Sequence, residues 1–137
     1  MDSKTCERCG TSLIGHASIT SMFDTTTICV ARCKIRERMH PHYTAAHAAE
    51  IAAVRAGDYN FPGVGVPASL SGPASQAEEC AIALSPLPNR ASRINLLETL
   101  HACSIGSHQT LLLYRFPDNS VVLVDVNTFA PKECRHV

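Results

Sequence analysis

The chain has 137 residues, of which 45% are hydrophobic but only 5% aromatic, with twelve basic residues balanced by twelve acidic ones. That length allows one ordinary domain or two very small ones, and the neutral balance argues against a protein whose main business is coating nucleic acid, which needs a strong basic excess, while leaving room for a local basic patch. No run approaches the roughly 18 apolar residues of a membrane span, and the polar start Met1-Asp2-Ser3-Lys4 lacks the apolar core of a signal peptide, so the sequence reads as soluble and cytoplasmic.

Much of the apolar count is alanine, so the core should be thin, and small units with thin cores usually need a staple. The first thirty-three residues supply a candidate for one. Cys6-Glu7-Arg8-Cys9-Gly10 is followed by eighteen residues and then Cys29-Val30-Ala31-Arg32-Cys33. Two close cysteine pairs at that separation suit a four-thiolate zinc site, each pair folding as a knuckle with its sulfurs on one side of a turn. Gly10 suits the positive backbone angle that such a knuckle often requires. Zinc bound this way contributes about 10–16 kcal/mol that is coupled to folding. Of the seven cysteines, Cys80, Cys103 and Cys134 remain; an odd count without a signal peptide points to a reducing compartment rather than a disulfide framework.

Taken in order, residues 11–14 read as a strand leaving the first knuckle, with a turn at Gly15-His16, and residues 18–23 as its return. A helix over 34–39 directly after the second knuckle favours a treble-clef over a zinc-ribbon arrangement. His40-Pro41 interrupts that helix, and a second helix fits 41–56, capped by Gly57. Tyr43, His47, Ile51 and Val54 mark its expected apolar stripe. Residues 57–73 carry three prolines and four glycines and read as irregular, yet Tyr59 and Phe61 are two of only seven aromatic residues in the chain. Such a loop either folds over the metal module or is presented to a partner.

The succession Cys-x-x-Cys-Gly, Ser-Met-Phe-Asp, Ile-Cys, a Cys near Arg-Glu, His-Pro, Ala-Ala-Glu and Gly-Asp-Tyr-Asn-Phe-Pro-Gly-Val-Gly resembles short, uncharacterised zinc-finger (four-cysteine) proteins of bacterial plasmids and phages. The resemblance covers residues 4–70. It departs at the second knuckle, where three residues separate the cysteines instead of two. What it implies is a setting, a bacterial mobile element, and no activity that could be carried over.

The second half differs in texture. Ser75-Gln76-Ala77-Glu78 matches a capping box, opening a helix through Cys80, Ala81 and Leu84 that stops at Pro86. Ser92 is the expected cap of a further helix bearing Ile94, Leu97, Leu100 and His101 or Cys103, ended by Gly106. Residues 110–116 and 121–126 form two apolar β-runs around a 117–120 turn, a hairpin with both faces covered. An isolated hairpin is marginal, so it must pack on the helices or form a homodimer.

These elements define an α+β protein: a small zinc-ribbon or treble-clef module with an alanine-rich helix over 1–70, and a helix-helix-β-hairpin unit over 71–137. The metal ligands are Cys6, Cys9, Cys29 and Cys33, in a closed and therefore structural site. Arg32, Lys34, Arg36 and Arg38 either contact phosphates or offset the charge of the thiolates. There is no phosphate loop, dinucleotide fingerprint, paired-carboxylate pattern or nucleophile elbow, which disfavours an enzyme. Two readings follow. One is a non-enzymatic protein that docks through Tyr59 and Phe61 on a host protein or ribonucleoprotein complex, of which an anti-CRISPR inhibitor is a concrete version. The other is a zinc-finger regulator that binds nucleic acid.

Overall fold

A computed structural model describes residues 4–100 and 104–136; the expectations placed on His101 and Cys103 lie outside these residues. The architecture is mixed α+β, in two compact units. The first comprises Met1–Arg38 and His42–Pro73, the second Met39–Pro41 and Ala74–Val137. The division falls a few residues beyond the 70/71 boundary read from composition, and it assigns 39–41 to the second unit. There the Cys134 amide donates to the Met39 carbonyl at 2.7 Å, and the Met39 side chain packs against that unit's core.

In the first unit, β1 (Ser18–Thr20) pairs antiparallel with β2 (Thr27–Cys29), Ile19 opposite Ile28. The outgoing strand expected at 11–14 does not form: Ser12 makes a single bridge to Thr5, and the chain turns at Gly15 with φ +74°. The hairpin's own turn lies later, at 21–26, closed by Ser21 N–H to the Thr26 carbonyl at 2.8 Å. Asp24 takes the amide of Thr26 at 2.9 Å, a local bond that favours this turn. Helix α1 (Cys33–Arg38) follows at once, then α2 (Tyr43–Arg55). Gly57, at φ +93°, ends α2 as expected: its amide donates to Val54, and that of Asp58 to Ala53, the paired bonds of a Schellman cap.

The buried side of α2 differs from the expected stripe. Ala46 is buried, whereas His47, Ile51 and Val54 are exposed. Small alanines let the helix backbone approach Phe23 and Leu70, and these residues with Ala46 form a compact cluster flanked by Met22, Tyr43 and Val66. Within the stretch read as irregular, Ala68–Ser71 closes into a short helix, α3, that delivers Leu70 to this cluster.

The second unit opens with α4 (Gln76–Leu84) and α5 (Arg90–Leu100), followed by β3 (Ser104–His108), β4 (Leu111–Arg115), β5 (Ser120–Asp125) and β6 (Pro131–His136). The strands form one antiparallel meander in chain order. The predicted hairpin is thus the centre of a four-stranded sheet, with edges supplied by β3 and β6. Gly106 belongs to β3 rather than ending a helix. The cap of α5 is Asn89, whose Oδ1 accepts the Ser92 amide at 2.9 Å; Ser92 already lies inside the helix. Ala77, Cys80, Ala81 and Leu84 of α4 pack with Leu97 and with Tyr114, Val122 and Cys134 of the sheet. Every residue from Ser120 to Val124 is buried, as an apolar run with both faces covered requires.

Candidate metal centre

The first knuckle is a tight turn: the Gly10 amide donates to the Cys6 carbonyl at 2.9 Å and the Cys6 amide to Thr11 at 2.8 Å. Gly10 sits at φ +78°, the conformation for which glycine was expected there. Strand β2 carries Cys29, and Cys33 is the first residue of α1. The three residues between them therefore complete the turn into the helix, and the longer spacing still delivers both sulfurs to one place. The resulting order of knuckle, hairpin, knuckle and helix is the treble-clef order.

The ligand atoms of Cys6, Cys9, Cys29 and Cys33 all lie within 4.8 Å of one another. Sulfurs of Cys6 and Cys33 are 3.6 Å apart, and those of Cys9 and Cys29 are 3.8 Å apart. Four thiolates at about 2.3 Å from a tetrahedral zinc would stand about 3.8 Å from each other. The cluster therefore fits a metal ion. Among the described residues it is the one group of three or more metal-ligating side chains within such reach; His40, His42 and His47 form none.

Backbone amides point at the sulfurs. Cys9 and Cys29 donate to Cys6 Sγ at 3.4 and 3.3 Å, and Cys33 to Cys29 Sγ at 3.5 Å. Such donors favour the thiolate, the form that ligates metal. Burial opposes ionisation of Cys6, but the amides of Cys9, Arg8 and Cys29 outweigh it and hold the thiol below its usual value. At the exposed Cys9 burial likewise acts upward, but contacts with Thr11 prevail and bring the thiol down to about 6. Cys33 is driven up by burial and by its three sulfur neighbours. Four sulfurs this close cannot all carry charge without a cation between them.

Behind the cluster lies a buried polar network not foreseen from the sequence. Glu37 is completely buried. Its carboxylate accepts from the Arg8 guanidinium and the Ser21 hydroxyl, from the Met22 amide at 2.9 Å, and faces Lys34 Nζ at 3.6 Å. Arg8 also donates to Ser21 Oγ at 3.1 Å. One signal for this was available: Cys33 and Glu37 are four residues apart on one helix and so share a face, and Arg8 sits inside the first cysteine pair.

The basic cluster does not form one outward surface. Lys34 and Arg36 are buried; Lys34 also lies 5.1 Å from the centre of the Tyr43 ring, and Arg36 donates to the Ser69 carbonyl at 3.1 Å. Arg32 and Arg38 are exposed. Of the two loop aromatics, Tyr59 is 78% exposed while Phe61 is half-buried. Cys80 and Cys134 belong to the second unit's core, where burial pushes the Cys80 thiol up to about 12 and raises Cys134 likewise.

No protein-family model matches this chain, and neither does any curated protein or solved structure. Among the described residues no helix is long and apolar enough to cross a membrane.

Proposed function

We propose that this is a non-enzymatic binding protein, its first unit held together by structural zinc, that docks on a host protein complex. The observation that carries the reading is the four-sulfur cluster itself. Its donors are all thiols, three of them buried, whereas catalytic zinc keeps three protein ligands and an open position for water. Zinc is the metal that a compact tetrahedral sulfur set suits. The docking half rests on the loop, which presents Tyr59 to solvent while Phe61 anchors it. Aromatic side chains are over-represented at the centres of protein interfaces. The setting in a bacterial mobile element, and an anti-CRISPR type of target, are supported by the sequence resemblance alone.

The nucleic-acid reading is weaker, because Lys34 and Arg36 spend their charges inside the first unit. A tagged pull-down from bacterial lysate, with and without nuclease, separates the two. Docking predicts a stoichiometric protein partner that survives nuclease and is lost with Phe61→Ala. Nucleic acid that co-purifies, with binding that falls steeply as salt rises, would overturn it. Metal analysis of the purified protein should find one zinc per chain; a sub-stoichiometric metal content in a folded protein would remove the structural-zinc half.

A further inference from the structure

The same loop forms one wall of a cleft of about 150 Å³ in the first unit. Cofactor and drug-sized sites run to roughly 300–1,000 Å³, so this one has room for a single long side chain. Met22, Val54, Tyr59 and Phe61 supply apolar and aromatic lining, and Asp24, Glu50 and Asp58 supply three carboxylates; no basic residue lines it. The whole chain is neutral, so this acidity is local. Asp24 is partly offset by Arg8 at 3.7 Å. Among the described residues no lysine, arginine or histidine pairs with Glu50 or Asp58.

The wall is fixed rather than loose. The Gly65 amide donates to the Phe23 carbonyl at 2.8 Å. Gly63, at φ +89°, lies so close to the backbone that a Cβ there would stand 2.3 Å from the Phe23 oxygen. Helix α2 holds Glu50 and Val54 on the other side.

We propose that this cleft is the docking site for an arginine side chain on a partner protein, a reading that rests on the docking function above and gives it a chemistry. A guanidinium stacks on aromatic faces and pairs with carboxylates, the two features combined here. An aliphatic stem would lie along Met22 and Val54. A phosphate would meet three carboxylates and be repelled.

The test titrates isotope-labelled, full-length protein with a blocked Gly-Arg-Gly peptide and with its citrulline counterpart, which keeps the shape and loses the charge. Amides of Val54, Asp58, Tyr59 and Phe61 should shift saturably with arginine. Citrulline should bind about tenfold more weakly, in keeping with a cation–π contact joined to partly exposed ion pairs. E50Q combined with D58N should lower arginine affinity by a similar factor without moving the melting temperature, since both positions are exposed and Asn can still accept the Asn60 amide that Asp58 accepts at 3.1 Å. Equal binding of arginine and citrulline, unchanged affinity in the double variant, or no saturable shift would overturn the proposal. A lysate partner lost with Phe61→Ala but retained by the double variant would overturn the arginine occupant and leave the docking function standing. If no protein partner is captured at all, the docking function itself falls.

Discussion

Glu37 shows how one residue ties the metal centre to the rest of its unit. It stands four positions after Cys33 of the four-sulfur cluster and meets Arg8 from inside the first knuckle, so helix, knuckle and hairpin turn share a single buried carboxylate. A buried ion pair adds little when replaced whole, but removing one partner leaves the others charged and dry. Glu37→Ala, which leaves Arg8 to its longer contact with Asp24 and Lys34 to the Tyr43 ring, should therefore cost about 3 kcal/mol in urea unfolding of the metal-loaded protein. A loss below about 1 kcal/mol would mean that water reaches the cations. Gly63 matters for a different reason, since its positive φ and its contact with Phe23 exclude a Cβ. Gly63→Ala should cost about 2–4 kcal/mol and lower the melting temperature, whereas the same change at Gly72, which has open space around it, should do neither.

Among the elements, α4 is the one whose start is most fully specified. The capping box forms as the sequence indicates, Ser75 Oγ accepting the Glu78 amide at 3.1 Å and Glu78 returning to the Ser75 amide at 2.9 Å. Two further amides of its first turn are taken by the β4–β5 turn and the start of β5: Gln76 donates to Asp118 at 2.8 Å and Ala77 to Ser120 Oγ at 2.9 Å. The helix start is thus welded to the sheet. Ser75→Ala should cost about 1 kcal/mol and Ser75→Gly only a few tenths, read by thermal unfolding. Partial burial opposes the Asp118 charge, but the Gln76 amide and Ser120 outweigh it and hold the carboxyl below the usual range. A carboxyl depressed on folding stabilises the protein above its unfolded value and loses that contribution as pH falls through its folded value. Stability should therefore decline from about pH 4 downward, and Asp118→Asn should flatten that decline. An unchanged slope would show that other carboxylates carry it.

At the scale of the whole molecule, the two units are held by different physics. The second has a ten-residue buried core of its own drawn from α4, α5 and the sheet. The first divides its apolar residues between a cluster of three cysteines with Leu13 and Ile28 and a separate trio of Phe23, Ala46 and Leu70. Neither is large enough to hold a unit of that size without a further constraint. Stripping metal with a chelator should remove hydrogen-exchange protection from residues 4–38 and 42–73 and leave it in β4 and β5. Cys9→Ser or Cys29→Ser should act the same way. Retained protection in the first unit would mean that its two small clusters suffice.

How much of this was legible follows from where the information resides. The cysteine spacing, the capping box, the Gly57 cap and the central apolar hairpin were all readable, because each is a local pattern whose geometry follows from neighbouring residues. The edge strands were not. β3 is Ser-Ile-Gly-Ser-His and β6 begins with Pro and carries four charged or imidazole side chains, compositions that edge positions tolerate and that acquire strand form only by pairing with β4 and β5. The stripe of α2 departs from the expected one because Ile51 and Val54 are exposed while Ala46 is the residue buried with Tyr43 packed beside it, and only the space left by Phe23 and Leu70 decides which side is buried. By itself the sequence determined which four side chains could share a metal, where α2 stops at Gly57 and where α4 starts at its capping box. The tertiary structure decided that Lys34 and Arg36 turn inward onto Glu37, Tyr43 and Ser69, and that the loop presses on Phe23 and opens a cleft with α2, because those outcomes depend on partners distant in the chain.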